Sequence, residues 1–375
     1  MCLTLRERTA FPPLSFMTTS PSAPHSSPHR QVLPLLLTMG DAVGIGPEII
    51  VKAFAAGQAS DAVVVGDVAA MQRAAALVPR APAVVALSEL SQAHAALKAG
   101  HLPVWAPAQL SADLAQLPWG QVDARCGQAA ARCIEEAVAL IQGGHARALV
   151  TAPLHKEALS AAGVNYPGHT EMLQALSAQK GQSPPPVRMM LANDQLKVVL
   201  VTIHLSLRKA LDAVTFEAVL QTLRIADRAA RVWGEAPRIA VAGLNPHAGE
   251  GGLFGDEEII TIAPAIAAAR QEGINAQGPF APDTVFMRAR HTSDHPGEFD
   301  LVVAMTHDHG LIPVKYLGVE QGVNVTLGLP FVRSSPDHGT AFDIAGTGQA
   351  DPSSLCAALQ TARKMAAKMG PEPGG

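Results

Sequence analysis

The chain has 375 residues, a formal net charge of −4 and 16% charged side chains. That length exceeds one ordinary core and predicts two lobes. The slightly negative balance, with no basic cluster, argues against nucleic acid as the main partner. No stretch approaches the about 18 uninterrupted apolar residues of a membrane span. The four cysteines (Cys2, Cys126, Cys133, Cys356) form no C-x-x-C pair. They read as small apolar side chains in a reducing, cytoplasmic compartment.

Residues 1–30 are rich in Ser and Pro and hold no run long enough for a signal h-region. They read as a disordered extension, or as an upstream start used in place of Met17. Order is expected from Val32. VLPLLLTMG reads as a buried strand running into GDAVGIGPEIIVKAF, Gly40 to Phe54. There Gly40, Gly44 and Gly46 permit a tight turn, and Pro47 suits the start of a helix. Backbone N–H groups at such a start can face an anion, although a purely structural turn explains the same residues. Asp61–Asp67, Pro82–Leu90 and Ala146–Leu154 read as further strands, the last leading to His155 and Lys156. Gln128–Gly144 reads as a helix ended by glycines. Strands spaced by helical patterns predict a parallel sheet with helices on both faces.

VRMMLANDQLKVVLVTIHLSLRKAL reads as a hairpin, then a strand ending at His204, then a helix. Arg238–Ala242 reads as a strand followed by a loop bearing Asn245, His247 and Glu250. Leu301–Met305 delivers Thr306, His307, Asp308 and His309. Three apolar strands thus end in His204, His247 and His307. One such histidine is more often a structural hydrogen-bonder, but the carboxyl ends of strands in one parallel sheet converge on one crevice. Neutral imidazoles there suit zinc or cobalt with an open position for substrate. His309 would share the face of His307 if the strand continued. His25, His29, His291 and His295 read as solvated, as do His94, His101 and His145.

NYPGHTEML places His169 and Thr170 after a turn. Lys315, Asn324 and Arg333 follow at wide spacing beside glycine-rich or apolar turns. Lys and Arg donate without accepting, which suits a phosphate or carboxylate; a surface charge is the plainer alternative. HGTAFDIAGTG, His338 to Gly348, is too rich in small residues to be a packing helix.

GDAVGIGPE, VTAPLHKEAL, YPGHTEML, VTIHLSLR, GLNPHAGEGG, PDTVF, THDHGLIPVKYLG, VNVTLGLPFVR and DHGTAFDIAG stand in one order. From about Leu35 to the C-terminal helix, that series resembles the 4-hydroxythreonine-4-phosphate dehydrogenases. These are NAD-dependent, metal-requiring enzymes of pyridoxal phosphate synthesis. The last motif also resembles a loop of isocitrate and isopropylmalate dehydrogenases that holds the adenosine part of NAD. The resemblance implies an α/β, two-lobed α/β/α fold with the active site in the interlobe cleft. Lobe one would comprise residues 31–150 and 325–375, and lobe two residues 151–324. It implies a homodimer whose sites take ligands from both subunits.

The resemblance also implies residue roles. His204, His247 and His307 would hold one divalent ion (zinc, cobalt or magnesium). His169, Thr170, Lys315, Asn324 and Arg333 would contact substrate, with Lys315 or His169 handling the proton. His338, Gly339, Thr340, Ala341, Asp343 and Ile344 would bind NAD or NADP. Asp283 and Asp308 could orient a ligand histidine. The implied reaction oxidises 4-phosphooxy-threonine to a β-keto acid that loses its carboxylate. Another four-carbon phospho-hydroxy acid, such as an erythronate phosphate, is the alternative substrate. A non-catalytic binding protein on the same fold is the alternative of another class. The chain departs from the usual pattern at His309 (usually Gln), at Ala42 and Val43 (usually Pro and Ala), at Ser335 and Pro336, and in a longer loop at HTSDHPGEF. None of these removes a ligand or substrate contact.

Overall fold

A computed structural model describes residues 32–368 apart from 167, 179–181 and 319. The expected N-terminal extension, with Cys2, His25 and His29, lies outside the described residues. Twelve strands form one sheet: β1 (Leu35–Thr38), β2 (Ala62–Val65), β3 (Val84–Ala86), β4 (Leu102–Trp105), β5 (Ala148–Thr151), β6 (Arg188–Ala192), β7 (Lys197–Leu200), β8 (Ile239–Ala242), β9 (Ala276–Phe280), β10 (Leu301–Ala304), β11 (Val323–Leu327) and β12 (Val332–Pro336). Their order is β3-β4-β2-β1-β5-β12-β11-β6-β7-β10-β8-β9.

The sheet is not wholly parallel as expected. β12–β11, β11–β6 and β6–β7 are antiparallel pairs. The reversal at β6–β7 is a tight hairpin, since Asn193 Oδ1 accepts from Gln195 N and Leu196 N, both at 2.9 Å. A connection that short can join only antiparallel strands. As a result β7, β10, β8 and β9 run opposite to β3, β4, β2, β1, β5 and β12. The carboxyl ends of the two groups therefore lie on opposite edges of the sheet.

Both faces are covered. Leu35 and Leu37 pack into one buried cluster and Leu36 into another, which is why β1 reads as an unbroken apolar run. The helix Gly46–Ala55 follows β1 with Pro47 in its first turn. The helix Ala124–Gln142 starts earlier than predicted because the Asp123 side chain caps it, accepting from Arg125 N at 2.8 Å. Among the described residues no helix is long and apolar enough to cross a membrane.

Some local expectations change. β4 and β9 escape a sequence reading because each contains a proline, Pro103 and Pro279. No separate strand ends at His204; the second hairpin arm, β7, stops at Leu200. β10 does not continue to His309, because the chain turns into the helix His307–Tyr316. Gly310 lets that helix press onto β7, since an added Cβ would lie 2.4 Å from Leu200 Cδ2. His309 is therefore exposed on a helix and shares no strand face with His307. His291 is not merely solvated either. Its ring accepts from Gly297 N at 3.3 Å and faces the Phe299 carbonyl at 2.9 Å, tying the 291–299 loop together.

Candidate active site

β7, β10 and β8 are consecutive parallel neighbours, so the segments after them leave the sheet at one edge. Beyond the ladder two of them stay joined. Thr202 donates through both N (3.2 Å) and Oγ1 (2.8 Å) to the Met305 carbonyl. That tie carries His204 and His307 side by side, with ring centroids 5.8 Å apart. His204 sits at φ 50°, a left-handed conformation costly for a non-glycine residue. Burial, then the positive charge of Lys156, holds its pKa below the ordinary value, so the imidazole stays neutral and able to ligate. Asp308 Oδ1 lies 2.7 Å from His307 Nδ1. A proton held there leaves His307 Nε2 as the free lone pair.

His247 is built differently. Residues His247 to Gly251 are all left-handed, with φ between 42° and 80°. Each non-glycine residue there costs about 1–2 kcal/mol. Glu258, 2% exposed, offsets this. It accepts from Leu244 N (2.6 Å), Asn245 N (2.8 Å) and Asn245 Nδ2 (3.0 Å). Burial pushes the Glu258 carboxyl up, but the hydrogen bonds from Asn245 and Leu244 bring it below its ordinary value. Among the described residues of the chain, no three His, Cys, Asp or Glu side chains form a group that could hold a metal ion. The fold thus brings His204 and His307 together within one chain and does not bring His247 to them.

The anion-type residues lie on the two central antiparallel strands. Arg333 on β12 is 2% exposed. Its Nη1 donates to Thr326 Oγ1 at 2.9 Å and its Nη2 to Thr151 Oγ1 at 2.6 Å, while Nε has no partner among the described residues. Asn324 pairs with Ser335, so Asn324, Thr326 and Arg333 share one face. Burial pulls Arg333 down to about 9. His169 opens the helix His169–Leu176. Burial first, then the charges of Arg333 and Lys156, push its pKa well below the ordinary value, so its ring is neutral. His169 Nε2, Asn324 Oδ1 and Arg333 Nε are all buried without a hydrogen-bond partner among the described residues. Native interiors rarely leave such atoms unpaired unless a ligand or water meets them. Thr170 follows His169 in the same helix, half-buried. Lys315, at the end of its helix, donates through Nζ at 2.6 Å to Oδ2 of Asp337, the residue that follows β12.

The small-residue loop His338–Ile344 is clamped by glycines. Ile45 N donates to the Thr340 carbonyl at 3.0 Å. A Cβ on Gly44 would lie 3.0 Å from Thr340 Cβ, and one on Gly120 2.4 Å from the Phe342 carbonyl oxygen. Ala341 is left-handed, at φ 40°. Glu48, fully buried, accepts from Gly348 N (3.2 Å) and Ala350 N (2.8 Å), fixing the tail of the loop to the helix Gly46–Ala55. Gly339 and Asp343 are exposed, and Ile344 half-buried, beside this clamp.

Residues 58–362 match the model of the pyridoxal phosphate biosynthetic protein PdxA family. The chain belongs to the PdxA family. A 4-hydroxythreonine-4-phosphate dehydrogenase of Beijerinckia indica subsp. indica is 54% identical over 335 residues, 88% of this chain and 95% of that one. A D-threonate 4-phosphate dehydrogenase of Pectobacterium atrosepticum is 46% identical over 341 residues, 88% of this chain and 99% of that one. Among solved structures, a 4-hydroxythreonine-4-phosphate dehydrogenase from Klebsiella pneumoniae superposes with a TM-score of 0.77 at 44% identity, covering 90% of this chain and 98% of that one. These relatives are dehydrogenases, and membership of the PdxA family implies a nicotinamide cofactor.

Some residues that build this PdxA-family site carried no sequence signal. Thr151 and Thr326 look like ordinary strand positions, and Glu258 like a surface charge in DEEII. Lys156 stands in a motif, yet nothing local shows that its charge reaches both His169 and His204.

Proposed function

We propose that this chain oxidises the 3-hydroxyl of 4-phosphooxy-L-threonine with NAD or NADP, and that the resulting 2-amino-3-oxo acid loses carbon dioxide to give 3-amino-2-oxopropyl phosphate. The observation that carries the reading is the buried Arg333, whose guanidinium has no carboxylate partner among the described residues and lies beside the neutral His169. A buried cation without a counter-charge is costly unless an anion meets it, and a phosphate oxygen supplies that charge. Asn324 Oδ1 would accept from the substrate ammonium or hydroxyl, and His169 and Thr170 would orient the chain of the substrate. Lys315, held by Asp337, would complete the phosphate or carboxylate contacts and is one candidate, with His169, for taking the hydroxyl proton.

His204 and His307 would hold a zinc, cobalt or magnesium ion together with His247 of the partner subunit in a homodimer. Such an ion supplies Lewis-acid charge at the reacting oxygen and carbonyl. The nicotinamide cofactor, held along His338, Gly339, Thr340, Ala341, Asp343 and Ile344, supplies the hydride acceptor. The two sheet halves would act as the two lobes of the cleft, in a cytoplasmic enzyme.

A second reading has one specific support: the Pectobacterium relative is named for D-threonate 4-phosphate. That acid keeps the phosphate and replaces the amine with a hydroxyl, so Arg333 serves either substrate. Following NADH and carbon dioxide together with both acids, with divalent metal added, separates the two. Turnover of only D-threonate 4-phosphate would replace the first reading by the second. NADH without carbon dioxide would remove the decarboxylation.

A further inference from the structure

Around the turn after β1, three polar atoms are buried and have no hydrogen-bond partner among the described residues: Thr38 Oγ1, Asp41 Oδ2 and His155 Nδ1. Thr38 and Asp41 are each 1% exposed. They are held together by backbone. Ala152 N donates to the Thr38 carbonyl at 3.2 Å, and Asp41 N to the Pro153 carbonyl at 2.9 Å. Gly40, at φ 73°, is required for this approach, because a Cβ there would lie 2.3 Å from the Pro153 oxygen. Asp41 Oδ1 accepts from Val43 N at 3.0 Å, and Oδ2 has no hydrogen-bond partner among the described residues. Burial pushes the Asp41 carboxyl up, against the lowering influence of Val43 N, His155 and the Cys126 thiol.

The niche adjoins the small-residue loop. The His155 ring stacks on Phe342 with centroids 4.6 Å apart and planes 13° apart. Its polar inventory is mixed. A carboxylate oxygen only accepts, an imidazole nitrogen can donate, and a hydroxyl does either. An anion would be repelled by Asp41. A neutral planar group with one carbonyl and two N–H bonds satisfies all three atoms.

We propose that Thr38, Asp41 and His155 bind the primary carboxamide of the nicotinamide ring. Its N–H bonds go to Asp41 Oδ2 and Thr38 Oγ1, and its carbonyl accepts from His155 Nδ1. The assignment rests on the dehydrogenase reading above and goes beyond it by fixing which end of the dinucleotide meets which residues.

The test is binding, measured by calorimetry without hydroxy-acid substrate. NAD is compared with 3-acetylpyridine adenine dinucleotide, which keeps the carbonyl and replaces the NH2 with a methyl group. The wild type should bind NAD on the order of tenfold more tightly than the analogue. Asp41→Asn keeps the acceptor for Val43 N but turns an NH2 toward the amide, so the preference should fall to one or reverse. His155→Phe keeps the stack on Phe342 and removes the donor, so both dinucleotides should weaken by a similar factor, about tenfold. A thermal melt of each variant shows whether it is folded. If Asp41→Asn does not fold, His155→Phe decides the matter. An unchanged preference in folded Asp41→Asn, or unchanged affinities in His155→Phe, overturns the carboxamide site alone. Failure of the wild type to bind either dinucleotide overturns the cofactor reading as well.

Discussion

The rings of His204 and His307 stand 5.8 Å apart, centroid to centroid, in the segments that follow two hydrogen-bonded strands of the same chain. His247 is held by its own strained turn and is not part of that pair. The arrangement determines how a shared site would respond to subunit mixing. His204→Ala and His307→Ala damage the same half of the site, so mixing those two variants should restore nothing. Mixing His204→Ala with His247→Ala should restore activity in the hybrid dimer, because one of its two sites is intact. Metal content by plasma emission should follow the same pattern. Recovery in the first mixture, or none in the second, would contradict the proposed sharing.

Glu258 should control the His247 turn. Glu258→Ala leaves the N–H groups of Leu244 and Asn245 without an acceptor, at a cost of about 2–4 kcal/mol in denaturant unfolding. Its carboxyl lies below the ordinary value in the folded chain. The stability it contributes is therefore present above the unfolded-state value and is lost as pH falls through the folded one. Hydrogen-exchange protection of residues 244–253, relative to the intrinsic rate at each pH, should fall on acidification below about pH 4.5 in the wild type. The alanine variant should show fast exchange already at pH 7.

Arg333→Met should separate binding from folding. The substitution removes a buried cation and leaves similar volume, so unfolding free energy should change by less than about 2 kcal/mol. KM for the phosphorylated substrate should rise about 100-fold. Inorganic phosphate should raise the Tm of the wild type and not that of the variant. A phosphate-induced shift that survives in Arg333→Met would place the anion elsewhere.

Gly120→Val tests the clamp on the cofactor loop. Gly120 is left-handed at φ 69°, and an added Cβ would sit 2.4 Å from the Phe342 carbonyl oxygen. The loop must shift, and dinucleotide affinity should fall about tenfold or more.

The sequence by itself determined the strands at Leu35, Ala62, Ala148, Ile239 and Leu301, the glycine turn after β1 and the family. Those signals are local: apolar runs, glycine spacing and motif order survive without knowledge of partners. Tertiary structure alone decided the rest. The β6–β7 hairpin was legible, but its seat between the antiparallel β11 and the parallel β10 was not; together they reverse half the sheet, so the small-residue loop and the histidine edge follow strands of opposite direction. Arg333 finds Thr151 across 182 residues of chain. Glu258 closes the His247 turn from 14 residues away, beyond the reach of any single turn's pattern. The histidines marked by strand ends are divided into a pair and a separate third, because the Thr202–Met305 tie joins only two of the three segments. Each of these depends on which distant strands become neighbours, and pairing between distant strands is set by packing of the whole sheet, not by local sequence.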